Sequence, residues 1–109
     1  MKQRAKVLVT GASGFIGRNL VPVLLDRGKT VRLLVRNPIG ETQPGTEKVI
    51  GDLLKPGTLQ HVFDGIDTAY YLVHSMSEGV ESFQSLDMQA ANNFVKAADD
   101  AGVRRVIYL

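Results

Sequence analysis

The 109-residue sequence contains no cysteine, which excludes disulfides, thiolate metal ligands and thiol catalysis, and fits a reducing compartment. It also has no apolar run approaching the roughly 20 residues needed to cross a bilayer. The basic start Met1-Lys2-Gln3-Arg4 has the charge of a signal-peptide head, but Thr10-Gly11 breaks the apolar run behind it after a few residues. Strong charge of one sign is lacking too. Thirteen basic residues against eleven acidic ones leave a net charge of +2, and they are scattered, so no nucleic-acid groove is expected. Internal repeats and low-complexity segments are also missing. A soluble, cytoplasmic protein is expected, with no membrane, nucleic-acid or metal partner. The length fits one domain over residues 1–109, able to bury roughly 60–65% of the surface its unfolded chain exposes.

What is present is an alternation of strand-like and helix-like periods. Val7-Leu8-Val9 reads as a first strand. Leu20, Val21 and Leu24 follow Gly17 on one helical stripe of a segment running from Phe15 to Arg27, which Gly28 closes. Pro22 inside this helix removes a hydrogen bond to the Arg18 carbonyl and predicts a mild kink. Val31 to Val35 is a second strand, and Ile39 to Glu47, with Gly40, Pro44 and Gly45, reads as an irregular crossover loop. Lys48-Val49-Ile50 is a short third strand. Pro56 suits the first turn of a short helix that faces Leu59, Val62 and Phe63 inward and ends at Gly65. Thr68 to Val73 is a fourth strand, followed by a polar loop from His74 to Val80. A long helix from Ser82 to Ala101 presents Phe83, Leu86, Ala90, Phe94 and Ala97 on one face, and Arg105 to Leu109 is a fifth strand. Such alternation implies an open parallel sheet with right-handed crossovers.

The densest signal is Thr10-Gly11-Ala12-Ser13-Gly14-Phe15-Ile16-Gly17, between the first strand and the first helix. A strand that turns through glycines into a helix leaves free backbone N–H groups at the positive end of the helix dipole, where an anion such as phosphate is stabilised. With this turn after the first strand, the expected strand order is 3-2-1-4-5, with the ligand crevice between strands one and four. The spacing is G-x-x-G-x-x-G (Gly11, Gly14, Gly17), not G-x-G-x-x-G. A P-loop is excluded, because Gly28-Lys29-Thr30 closes a helix instead of opening one.

Taken with Leu33-Leu34-Val35-Arg36-Asn37-Pro38, Gly51-Asp52-Leu53, Tyr70-Tyr71-Leu72-Val73-His74-Ser75 and Ala90-Ala91-Asn92-Asn93, this turn resembles the N-terminal half of extended and atypical short-chain dehydrogenase/reductases. Within them it is most similar to the NmrA-like and nucleoside-diphosphate-sugar-epimerase-like branch. The resemblance implies an α/β, Rossmann-type doubly wound parallel sheet of five strands, truncated relative to the full family. It implies that Thr10 is a cofactor-binding residue, that Gly11 forms the tight turn, that Gly14 lets a pyrophosphate approach, and that Gly17 lets helix and strand pack closely. The N–H groups of Phe15 and Ile16 would face the pyrophosphate.

Arg36 stands where NAD-preferring relatives carry an acid. A guanidinium there can hold a 2′-phosphate, with Asn37 and Ser13 helping, so NADP is expected over NAD. A solvated arginine at a strand end is the other reading. By the same resemblance Asp52 accepts from the adenine amino group and Leu53 lines the adenine pocket, although Asp52 could equally begin a turn before Pro56. Leu72, Val73 and His74 would border the ribose and nicotinamide. His74 titrates near neutrality but is read as a wall or hydrogen-bonded loop residue before a catalytic one, and His61 is expected at the surface. One of Asn92 and Asn93 is expected to reach the back of strand four, unless both are simply polar positions on an exposed face.

Chemistry in this superfamily rests on a Tyr-x-x-x-Lys pair with a serine. Here Tyr70 is followed four residues later by His74 and Tyr71 by Ser75, and Tyr108 lies next to the last residue. No catalytic residue is therefore expected in these 109 residues. The chain would be the cofactor-binding part of an oxidoreductase or epimerase-like protein, with a small-molecule substrate only if a C-terminal part exists. The alternative is a non-catalytic dinucleotide-sensing or assembly module. A flavin or S-adenosylmethionine site is a further reading, and the turn's spacing and Arg36 argue against the latter. An apolar edge at strand five would invite pairing with a second copy as a homodimer.

Overall fold

The computed structural model describes residues 6–11, 15–36, 44–72 and 81–108, with no side-chain description for Phe15 or residues 81–85. Five strands alternate with helical segments: β1 (Lys6–Thr10), α1 (Phe15–Asp26), β2 (Thr30–Val35), β3 (Thr46–Ile50), a 3₁₀ turn (Pro56–Leu59), β4 (Thr68–Tyr71), α2 (Glu81–Asp100) and β5 (Arg105–Tyr108). Every pairing is parallel and the order is β3-β2-β1-β4-β5. This is the Rossmann-type doubly wound sheet. Among the described residues no helix is long and apolar enough to cross a membrane.

The central strands are apolar on both faces because both faces are covered, as parallel sheets require. Side chains alternate across a strand, and the core divides accordingly. Val7, Val9, Val31 and Leu33 meet Val21 and Leu24 of α1 on one face. On the other face Leu8, Leu34, Ala69 and Tyr71 meet Ala90, Phe94 and Ala98 of α2, together with Leu53, Leu59, Val62, Phe63 and Ile66. Phe94 is fully buried, and its ring meets Phe63 and Tyr71 edge-on at centroid distances of 5.1 and 4.9 Å.

Several elements differ from the sequence-based expectation. α1 runs through Pro22, whose ring is exposed, as one 12-residue helix. It closes as expected at Gly28, with the N–H groups of Gly28 and Lys29 bonded to the carbonyls of Leu25 and Leu24. β3 begins at Thr46, before the expected Lys48, because it pairs with β2 from Val31↔Thr46 to Val35↔Ile50. Much of the expected crossover loop lies outside the described residues. The helix expected at Pro56 is a single 3₁₀ turn, after which the chain continues in turns to Gly65. Leu59, Val62 and Phe63 are nonetheless buried. β4 ends at Tyr71, two residues short of Val73, which lies outside the described residues. On α2, Leu86 is 39% exposed and Ala98 is buried, so the inward stripe is Ala90, Phe94 and Ala98 at four-residue spacing.

One charged side chain is used inside this packing. Arg32 shares a strand face with Leu34, and its Nη1 donates to the Val62 and Asp64 carbonyls at 2.8 and 2.9 Å. Its Nε donates to the Glu47 carboxylate at 3.0 Å, and Lys6 Nζ lies 3.4 Å from the same oxygen. Partial burial pushes the Glu47 carboxyl up, but Arg32 and Lys6 outweigh it and hold the carboxyl below its ordinary value. Arg32 thus clamps the turns after the 3₁₀ segment against the sheet.

Replacing Phe94 with alanine should cost about 3–5 kcal/mol of stability, read as a fall in the urea midpoint. Val95→Ala, at a neighbouring position that is 56% exposed, should stay within about 0.5 kcal/mol of the parent. Similar midpoints for the two variants would contradict the assignment of the inward face.

Candidate functional site

The parallel register decides which residues share an edge. Thr10 is level with Leu34 of β2 and with Tyr71 of β4, and Val35 is level with Ile50 of β3. The next residues along each strand are therefore Gly11, Arg36, Gly51-Asp52 and Leu72, on neighbouring strands about 4.8 Å apart. All lie at the carboxyl end of the sheet, where ligands bind in open α/β folds, on either side of the point where the strand order reverses.

Gly11 leaves β1 with φ +78°, a left-handed conformation that disfavours any side chain. The chain can thereby turn out of the sheet and start α1 only four residues later, at Phe15. The first N–H groups of α1 have no helical partner, so the dipole and the free donors face the same crevice. Ile16, on that first turn, is 42% exposed, and Gly17 is buried. Thr10 is buried, and its hydroxyl donates to the Tyr70 carbonyl at 3.0 Å, tying β1 to β4 just below the turn. The N–H of Leu72 continues that tie to the Thr10 carbonyl, and the Leu72 side chain packs in the α1-side core. Ser13, Gly14, Asn37, Val73 and His74 lie outside the described residues, as does the Phe15 side chain.

Arg36 follows β2 directly and its side chain is exposed. Gly51 continues the β2–β3 ladder by donating to the Val35 carbonyl at 2.9 Å. It sits so tightly that an added Cβ would meet Leu34 Cδ1 at 3.0 Å and the Thr58 carbonyl at 3.2 Å. Asp52 begins the turn that was one of its two readings, since its Oδ1 accepts from the Leu54 N–H at 2.9 Å. That bond leaves acceptor capacity on the carboxylate, so the turn and a ligand contact are compatible. The Leu53 side chain is packed in the α2-side core.

Two side chains of this region hold backbone groups in ways the sequence reading did not anticipate. Thr58 accepts from the Asp52 N–H at 2.8 Å, and its hydroxyl contacts the carbonyls of Lys55 and Asp52 at 2.7 and 3.0 Å. The polar run Asp52…Lys55-Pro56-Gly57-Thr58 carries the usual signal of such side-chain-to-backbone turns. Asn93 does not reach β4. Its Nδ2 donates instead to the Leu53 carbonyl at 2.6 Å, while Asn92 is exposed. His61 lies at the surface beside Asp64, as expected.

Among the described residues no group of His, Cys, Asp or Glu could hold a metal ion. Burial pushes the Tyr71 hydroxyl above its ordinary pKa, and Tyr108 and Asp87 add to the shift. That direction is wrong for a general base. The helix N-terminus after Gly11 and the exposed Arg36 at the same edge are groups that can hold an anionic ligand.

Comparison with known proteins gives the same class. The chain matches the family model described as NAD(P)H-binding over residues 11–109, and it belongs to that family. Its homologues are short-chain dehydrogenase/reductases. It is 34% identical to a 3-beta-hydroxysteroid dehydrogenase of Mycolicibacterium neoaurum, covering 94% of this chain and 31% of the relative. It is 33% identical to cinnamoyl-CoA reductase 1 of Petunia hybrida, covering 94% and 34%. A variant of uronate dehydrogenase from Agrobacterium tumefaciens complexed with NAD superposes with a TM-score of 0.79 at 25% identity, covering 97% of this chain and 40% of that one. UDP-N-acetylglucosamine 4-epimerase from Bacillus cereus shares the fold with a TM-score of 0.80 at 22% identity, over 95% and 36%. The chain spans about a third of the length of the curated relatives it matches.

Gly11→Ala should lower stability by about 1–2 kcal/mol, the cost of a left-handed residue with a side chain. Urea unfolding reads this as a lower midpoint at unchanged slope. An unchanged midpoint would show that the turn does not need its positive φ.

Proposed function

We propose that the chain binds a nicotinamide dinucleotide along the carboxyl edge of its sheet, NADP(H) in preference to NAD(H), as the cofactor-binding part of an oxidoreductase or epimerase-like protein. The observation that supports this reading is the register, which ends β1, β2 and β3 at one edge of the sheet, with Gly11, Arg36 and Asp52 following them, each one residue further along than the one on the strand before. The pyrophosphate would lie on the turn from Gly11 to Gly17, against the N–H groups of Phe15 and Ile16, with Gly14 allowing its approach and Ser13 helping Arg36. The exposed Arg36, with Asn37, would take the ribose 2′-phosphate through a bidentate, charge-assisted pair. Asp52 would accept from the adenine amino group, and Val73 and His74, following Leu72, would border the adenine ribose and the nicotinamide side.

When bound, the nicotinamide accepts or delivers a hydride. The residues named here bind and orient it, and none is assigned a proton-transfer role. Relatives named as dehydrogenases and reductases support the oxidoreductase reading over a purely sensing one.

NADPH should bind more tightly than NADH in a calorimetric titration. Arg36→Ala should erase most of the difference, roughly the 1.5–3 kcal/mol of a hydrogen bond to a charged group. Equal affinity of the parent for both dinucleotides would overturn the NADP preference, and failure to bind either would overturn the proposed function.

A further inference from the structure

Asn93 occupies the middle of α2, where a short amide is a poor helix former. A residue there that earns its place usually does so through a tertiary contact. Its neighbour Asn92 is exposed, whereas Asn93 is half-buried and donates to the Leu53 carbonyl, forty residues away in sequence. Leu53 follows Asp52 directly. Gly51 ties the start of this loop to the Val35 carbonyl of β2, and from Asp52 on these hydrogen bonds are local: Leu54 N–H to Asp52 Oδ1, Asp52 N–H to Thr58 Oγ1, and Lys55 N–H to the Asp52 carbonyl. They fix the loop's internal shape without fixing where the loop sits on the helical layer. The Leu53 side chain anchors it in the α2-side core, and the Asn93 amide fixes the height and tilt of the peptide next to Asp52.

We infer that Asn93 is a positioning residue for adenine recognition: by holding the Leu53 carbonyl from α2, it sets the Asp52 carboxylate where the adenine amino group is read. This rests on the proposed dinucleotide site and on the adenine role given to Asp52. Asn93 acts through the loop. Replacing its donor with a carboxylate sets two acceptors against each other, so Asn93→Asp should shift the loop while changing side-chain volume little. Asn93→Ala removes the tie without the repulsion.

The readout is base discrimination, which a general loss of stability does not change. The parent, Asp52→Ala, Asn93→Asp, Asn93→Ala and the exposed-neighbour control Asn92→Asp are titrated with NADPH and with deamino-NADPH. In the latter an oxygen acceptor replaces the adenine amino group, and it would face the Asp52 carboxylate acceptor to acceptor. The parent should prefer NADPH by about tenfold or more, and Asp52→Ala should lose that preference. Both Asn93 variants should lose most of it, while Asn92→Asp keeps it. Should Asn93→Asp fail to fold by circular dichroism, Asn93→Ala gives the same ratio.

Discrimination retained in a folded Asn93 variant but lost in Asp52→Ala overturns the inference and leaves the dinucleotide site standing. Discrimination retained in Asp52→Ala overturns the adenine role of Asp52, and the inference with it. No NADPH binding by the parent overturns the proposed function itself.

Discussion

The constraint on which the rest of the structure depends is that β1 is buried on both faces. Leu8 and Val9 are fully enclosed and Val7 nearly so. A strand in that position must be flanked by others, and β2 and β4 run parallel on either side of it. Parallel strands end on the same edge, so the carboxyl ends of β3, β2, β1 and β4 are brought together by the same burial that stabilises the core. The chain cannot leave β1 gradually, because α1 must fold straight back over Val7, Val9, Val31 and Leu33. The left-handed Gly11 makes that reversal, and the helix N-terminus is delivered to the edge as a consequence.

The second layer of the argument is polar. Thr10 bonds β4, Arg32 clamps the turns after the 3₁₀ segment, and Thr58 and Asn93 hold the loop that carries Asp52. Each of these side chains supplies backbone groups near the sheet with partners that regular ladders do not reach. Shape at the edge is therefore set by side-chain-to-backbone hydrogen bonds behind it, and the exposed Arg36 makes none of them.

The fold was largely legible because the strongest signals in the sequence are periodic. The apolar runs at 7–9, 31–35 and 68–71 and the glycine turn after the first predict the order that the sheet adopts. What was less legible has a physical reason in each case. β3 starts at Thr46 because pairing with β2 recruits Thr46 and Glu47, neither of them apolar. The Pro56 helix collapses to one 3₁₀ turn because Thr58 bonds the Lys55 and Asp52 carbonyls and closes the loop on itself. Leu86 reads as inward by spacing, yet the inward stripe is Ala90, Phe94 and Ala98, which follows from where α2 crosses the sheet and not from its own periodicity. Among the candidate site residues, the positions of Gly11, Arg36 and Asp52 at strand ends could be read directly. The target of Asn93 could not, because a contact across forty residues leaves no local pattern.

The central claim is that the glycine turn and its neighbouring strand ends hold a dinucleotide. Amide hydrogen exchange with and without saturating NADPH tests it most directly. Added protection should concentrate at residues 10–17, at Arg36 and at 52–54. Binding that protects another surface instead, such as the groove between the Pro56 turn and Lys96 and Asp100 of α2, would contradict it.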